Sequence, residues 1–133
     1  MRAVIFDFFG VLVNEQGVNP ALKTLVMEQL HGRVKLGILS NMNDNMVADL
    51  LGPELAGCFD KILISGELGV GKPDQRAFML AAGELKEFAE DCLLADDSER
   101  NVAGAEAIGM PAIHFDTVEN LLQKLKEYGI ITS

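Results

Sequence analysis

Five short apolar runs punctuate the chain: Ala3–Phe6, Lys35–Leu39, Lys61–Ile64, Cys92–Ala95 and Pro111–Phe115. They do not alternate with polar residues as a half-exposed strand would, so each predicts a strand covered on both faces. Most intervals carry helical spacing. Pro20–Leu30 places Leu22, Leu25, Val26 and Leu30 on one side. Asp74–Leu85 starts just after a proline, and Ser98–Ile108 starts on a good N-cap and stops at Gly109. Thr117–Tyr128 is amphipathic, with Val118, Leu121, Leu122 and Leu125 on one stripe. A short segment near Leu12–Gly17 is left over as a small flap. Strands alternating with helices predict an α/β fold built on a parallel sheet covered on both faces. Ligands of such sheets bind beyond the carboxyl ends of the strands.

Composition narrows the picture. The chain has 133 residues, 49% of them hydrophobic, enough for one domain over residues 1–133 with a core of its own. No run of eighteen apolar residues is present and the N-terminus lacks a secretion-signal pattern, which predicts no membrane partner and a cytoplasmic location. Cys58 and Cys92 lie in apolar surroundings at a spacing that fits neither a disulfide framework nor a metal site. The net charge of −9 argues against nucleic acid and anionic membranes as partners. An anionic substrate would need a local positive feature.

The strand ends carry the candidate chemistry. Asp7 ends the first run, Ser40 and Asn41 the second, and Asp96 and Asp97 the fourth, while Lys72 sits in the loop after the third. Taken singly, each group reads as well as a turn or helix cap, since Asp, Asn and Ser favour both. Taken together, four chain-distant groups fall on one edge of one sheet. Carboxylates there suit a hard divalent cation, hydroxyl and backbone donors suit a phosphate, and the lysine balances charge.

Other motifs fall away. "GELGVGKP", residues 66–73, begins like a nucleotide-binding P-loop, but Pro73 stands where the Mg²⁺-binding hydroxyl is needed. Asn43, Asp44 and Asn45 lack the glycine and glutamate of a calcium loop and read as helix-start polarity. His31 reads as a helix-end residue and His114 as a solvent-facing strand residue, neither with a catalytic partner. Met27, Met42, Met46, Met79 and Met110 read as core filler.

"FDFFGVLV", "ILSNMN", "GVGKPD" and "LLADDSERN" resemble, in order, the four motifs of the haloacid dehalogenase superfamily, which consists mostly of phosphatases. The resemblance runs from Val4 to the last helix. It implies a Rossmann-like three-layer sandwich with strand order 5-4-1-2-3. It implies Asp7 as the nucleophile that becomes phosphorylated, Lys72 bridging nucleophile and phosphate, and Ser40 with the Asn41 backbone holding phosphate. It implies Mg²⁺ held by Asp7, the Phe9 main-chain carbonyl, Asp96 and Asp97. The substrate is then a phosphorylated small molecule or macromolecule.

Two departures stand out. Many relatives insert a cap domain between the first and second motifs; residues 8–39 hold only a turn, a flap and one crossover helix. That length predicts no cap and an open site, suited to a macromolecular substrate or to a lid supplied by a second copy in a homo-oligomer. The second departure is Phe9, which stands where phosphatases of the superfamily usually carry an Asp that moves protons. Losing general acid–base help typically costs about 10²–10⁴-fold, so a slow phosphatase is expected. Two rivals remain open: a metal-free 2-haloacid dehalogenase, in which an aromatic also follows the nucleophile, and a binding or scaffold protein that keeps the fold.

Overall fold

The computed structural model describes residues 1–132. β1 (Ala3–Phe6) leads into a hairpin of β2 (Val13–Asn14) and β3 (Gly17–Val18). α1 (Pro20–Thr24) then runs on as a π-helical turn over Leu25–Leu30 and feeds β4 (Lys35–Ser40). α2 (Val47–Leu51) and α3 (Pro53–Ala56) precede β5 (Lys61–Ile64), and α4 (Ser65–Leu68) and α5 (Gln75–Glu84) precede β6 (Cys92–Asp96). α6 (Glu99–Glu106), β7 (Ala112–His114) and α7 (Val118–Glu127) complete the described elements. The five long-range strands pair in parallel in the order β5-β4-β1-β6-β7. Counted among themselves and read from β7, that is 5-4-1-2-3.

The period of two along β1 explains the three layers. Val4 and Phe6 face a core completed by Leu22, Leu25 and Leu30 before β4 and by Leu121 and Leu125 of α7. Ala3 and Ile5 face the opposite core, built from Ala77, Phe78, Ala81 and Ala82 of α5 and Ala105 of α6. Both faces of a strand in the middle of the sheet are covered, so the strand is apolar throughout.

The predicted helices begin where their caps lie. Asn19 Oδ1 accepts from the Ala21 and Leu22 amides at 3.1 and 3.4 Å, and Asp74 Oδ1 from the Arg76 amide at 2.9 Å. Ser98 Oγ accepts from the Asn101 amide at 3.4 Å and Thr117 Oγ1 from the Asn120 amide at 3.1 Å. The predicted flap is the β2–β3 hairpin, shifted by one residue. Apart from that hairpin and one helix, nothing is inserted between Asp7 and Ser40. Among the described residues no helix is long and apolar enough to cross a membrane.

Three short helices, α2, α3 and α4, were not legible, since four or five residues give no helical period to read. The methionines divide. Met110 is fully buried, but Met46 and Met79 are 44% and 58% exposed, so they are not core filler. On α5 the neighbours of Met79, Ala77 and Phe78, take the buried face and leave it outward beside exposed Leu80. Both cysteines are buried and unpaired.

Candidate active site

β1 places Asp7 by a ladder hydrogen bond: its amide donates to the Ala95 carbonyl at 2.9 Å, beside the end of β6. That register brings Asp7 next to Asp96. Lys72 closes the group, donating from Nζ to Asp7 Oδ1 at 2.8 Å and to Asp96 Oδ2 at 2.7 Å, with its own side chain 1% exposed. An ammonium this far from water is tolerable only when paired, and here it is paired twice.

The two carboxylates beyond Asp7 have different situations. Asp96 is fully buried and saturated: it also accepts from the Ser98 amide at 2.9 Å and from Asn101 Nδ2 at 3.2 and 3.3 Å. Asp97 is exposed, and Gly10 packs flat against it. A Cβ on Gly10 would sit 2.8 Å from Asp97 Cγ, and Gly10 has φ +92, so only glycine fits this approach. Asp7, Asp96 and Asp97 each bring one carboxylate oxygen into a group whose members lie within 4.8 Å of one another.

Three carboxylates against one ammonium leave two negative charges in excess. An all-oxygen donor set with that charge fits a hard divalent cation such as Mg²⁺. Without a cation, burial is the largest influence on Asp7 and pushes its pKa from 3.8 up to about 7; Lys72 pulls it down, and Asp96 and Asp97 push it up.

Asn41 differs from its sequence-based role in one respect. Its side chain, not noticed in the sequence, pairs with the backbone of Lys72: Nδ2 donates to the Lys72 carbonyl and Oδ1 accepts from the Lys72 amide, both at 2.9 Å. Ser40 beside it is buried at 2% exposure. Ser65 Oγ ties the same loop, accepting from the Met42 amide at 3.0 Å and reaching the Met42 carbonyl at 3.2 Å. Phe9 is 45% exposed, its ring edge-on to buried Phe8 at 4.9 Å between centroids.

The residues set aside in the sequence stay outside this group. His31 ends the π-helical turn, its amide on the Val26 carbonyl at 2.8 Å, and Asn45 Oδ1 accepts from the Val47 amide at 3.1 Å at the start of α2. His114 is exposed, as expected, and contacts the Asp97 carbonyl through Nε2 at 2.9 Å. Asn101 was missed although it stands in "LLADDSERN", because an Asn in a first helical turn is as readily read as a cap. A groove of about 650 Å³ between β7 and α7 includes neither Asp7, Ser40, Lys72 nor Asp97 in its lining.

A haloacid dehalogenase-like hydrolase model matches residues 16–109, most of the chain. The chain belongs to the haloacid dehalogenase-like hydrolase family. It is 32% identical over 99 residues to a phosphoserine phosphatase of Thermus thermophilus, covering 73% of this chain and 40% of that relative. The chain thus spans well under half the length of that curated relative. A crystal structure of an uncharacterized protein from Corynebacterium glutamicum matches with a TM-score of 0.80 at 31% identity, over 100% of this chain and 98% of the other. A family enzyme from Bacteroides thetaiotaomicron, crystallised as a mutant with magnesium and inorganic phosphate, has the same fold, with a TM-score of 0.76 at 14% identity over 91% and 98% of the two chains. The hydrolase family and its Rossmann-like fold, expected from the four motifs, are therefore those of this chain.

Proposed function

We propose that this family member, acting as a single core domain, is a Mg²⁺-dependent phosphatase that hydrolyses phosphate monoesters through an aspartyl-phosphate on Asp7. The observation that carries the reading is the Asp7–Lys72–Asp96 group with Asp97 completing an oxygen-rich cluster at the sheet's carboxyl edge. Asp7 Oδ1 is held by Lys72, which leaves Oδ2 to attack phosphorus while the bond from phosphorus to the ester oxygen breaks. A water then attacks the phosphoryl group on Asp7, releasing orthophosphate and regenerating the carboxylate. Ser40 and the Asn41 backbone hold phosphoryl oxygens, and Lys72 neutralises charge that grows on them. Asp7, the Phe9 carbonyl and Asp97 would hold Mg²⁺, with Asp96 beside them. The bound cation would supply further charge neutralisation to the transferring group.

Relatives and neighbours lend support: the Thermus relative is a phosphoserine phosphatase, and the Bacteroides enzyme was crystallised as a mutant with magnesium and inorganic phosphate. The substrate is a phosphorylated small molecule or macromolecule, and a second copy of the chain is the partner proposed to cover the open edge.

Incubating the protein with nitrophenyl phosphate and Mg²⁺ should release orthophosphate, and EDTA should stop the release. Halide release from a 2-haloacid without metal, and no orthophosphate, would replace this reading with the dehalogenase one. Inertness toward both would leave a binding protein.

The metal assignment has its own check. By isothermal titration, Asp97→Ala should bind Mg²⁺ at least about 10-fold more weakly than the parent, since even outer-shell changes cost that much. Equal affinities would remove Asp97 from the ligand set. The variant is expected to stay folded because Asp97 is exposed.

A further inference from the structure

We infer that the Asn41 side chain is a positioning residue for catalysis: it acts through Lys72, clamping the lysine's backbone so that Nζ reaches both Asp7 and Asp96. The inference rests on the phosphatase reading above and goes beyond the backbone role given there to Asn41.

The clamp is a closed pair of hydrogen bonds between one amide side chain and one residue's main chain. The Lys72 N–H can only donate and its carbonyl can only accept, so Oδ1 and Nδ2 of Asn41 are fixed in orientation by their partners. It joins the loop after β4 to the loop before α5, segments 31 residues apart in the chain. The approach is close enough to require glycine next door, since a Cβ on Gly71 would lie 2.9 Å from Asn41 Oδ1. Pro73 follows Lys72 and offers no N–H to the loop.

A lysine has a long flexible stem, and two contacts of 2.8 and 2.7 Å to carboxylates at the ends of two different strands demand a fixed origin for it. Asp7 and Asp96 are held by the sheet. Lys72 comes from a loop, and Asn41 ties that loop to the end of β4, a strand of the same sheet. One Nδ2 hydrogen and one Oδ1 lone pair of Asn41 are thus spent on the Lys72 main chain.

Kinetics on nitrophenyl phosphate with Mg²⁺ test this. Asn41→Ala should lower kcat by about 10–10²-fold, the scale of a misplaced catalytic group. KM should change by less than about twofold, because the backbone N–H at position 41 remains to hold phosphate. Lys72→Ala alone should lower kcat by about 10²–10³-fold. Adding Asn41→Ala to Lys72→Ala should change kcat by no more than about twofold, since residues acting as a unit are not additive. Gly71→Ala provides a second route: its new methyl should spread the clamp, lower kcat without raising KM, and likewise add nothing to Lys72→Ala. Fully additive losses in an active parent would overturn the clamp and leave the phosphatase intact. A raised KM with kcat retained would overturn it too, by showing that the Asn41 side chain meets substrate. A parent inert toward phosphate esters would overturn the phosphatase reading and this inference with it.

Discussion

Asp7→Asn is expected to abolish orthophosphate release while leaving the protein folded. An amide oxygen is a far poorer nucleophile than a carboxylate, and no other carboxylate is placed to substitute. Asp96 is committed to Lys72, Ser98 and Asn101, and Asp97 to the proposed cation. The fold should survive because the replacement is isosteric at a position only 8% exposed. Stability has a direction as well. The folded-state pKa of Asp7 is raised from 3.8 to about 7, so the folded metal-free protein favours the protonated form. A raised carboxyl contributes its full stability below the unfolded pKa and loses it as pH rises through the folded one. Metal-free parent should therefore lose stability between about pH 4 and pH 7, a loss the neutral Asn side chain does not share. At pH 8 without metal, the Tm of Asp7→Asn should equal or exceed that of the parent. Retained turnover would move the nucleophile elsewhere; a collapsed Tm would mean that the Lys72–Asp7 pair holds the sheet edge together.

The same residue shows why part of the site was legible and part was not. Asp7, Asp96 and Asp97 could be read because each stands at the end of an apolar run, and Lys72 because it lies in the loop that follows one; a parallel sheet brings all such ends to one edge. Parallel pairing then converts chain position into proximity: the register Phe6–Ala95 sets Asp7 beside Asp96 with no further information needed. The five strands and the longer helices were legible for a related reason, since buried strands and capped amphipathic helices each leave a periodic trace. Contacts made between loops leave none. Nothing in the sequence links Asn41 to the Lys72 backbone or Gly10 to Asp97, because a hydrogen bond to main chain does not depend on which side chain the partner carries. Nor does a period distinguish exposed Met79 from buried Met110: methionine serves either place, and packing of neighbouring Phe78 decides.

Phe9→Asp is expected to raise turnover on alkyl phosphates, by at most about 10²–10⁴-fold, the usual worth of general acid–base catalysis. An alkoxide leaves poorly without a proton, and Phe9 has none to give. Nitrophenoxide departs readily unprotonated, so turnover on nitrophenyl phosphate should barely change. The structure makes the exchange tolerable. Phe9 is 45% exposed rather than packed under the hairpin, so a carboxylate there would remain solvated and escape most of the cost of burial. What is lost is the edge-on contact with Phe8, and aromatic pairs of that kind contribute about 0.5–1.5 kcal/mol. The backbone that presents position 9 does not depend on the ring: the Gly10 amide donates to the Val13 carbonyl at 2.8 Å and the Leu12 amide to the Phe8 carbonyl at 2.9 Å. Position 9 also borders the cluster: Asp7 stands two residues before it, and Asp97 packs against the next residue, Gly10. Rates compared at equal folded fraction, with saturating Mg²⁺, decide the matter. A gain confined to the alkyl ester identifies proton transfer as what the parent lacks. An unchanged ratio between the two esters would mean that Phe9 limits something else, and the scaffold and dehalogenase readings would then account better for an aromatic ring at this position.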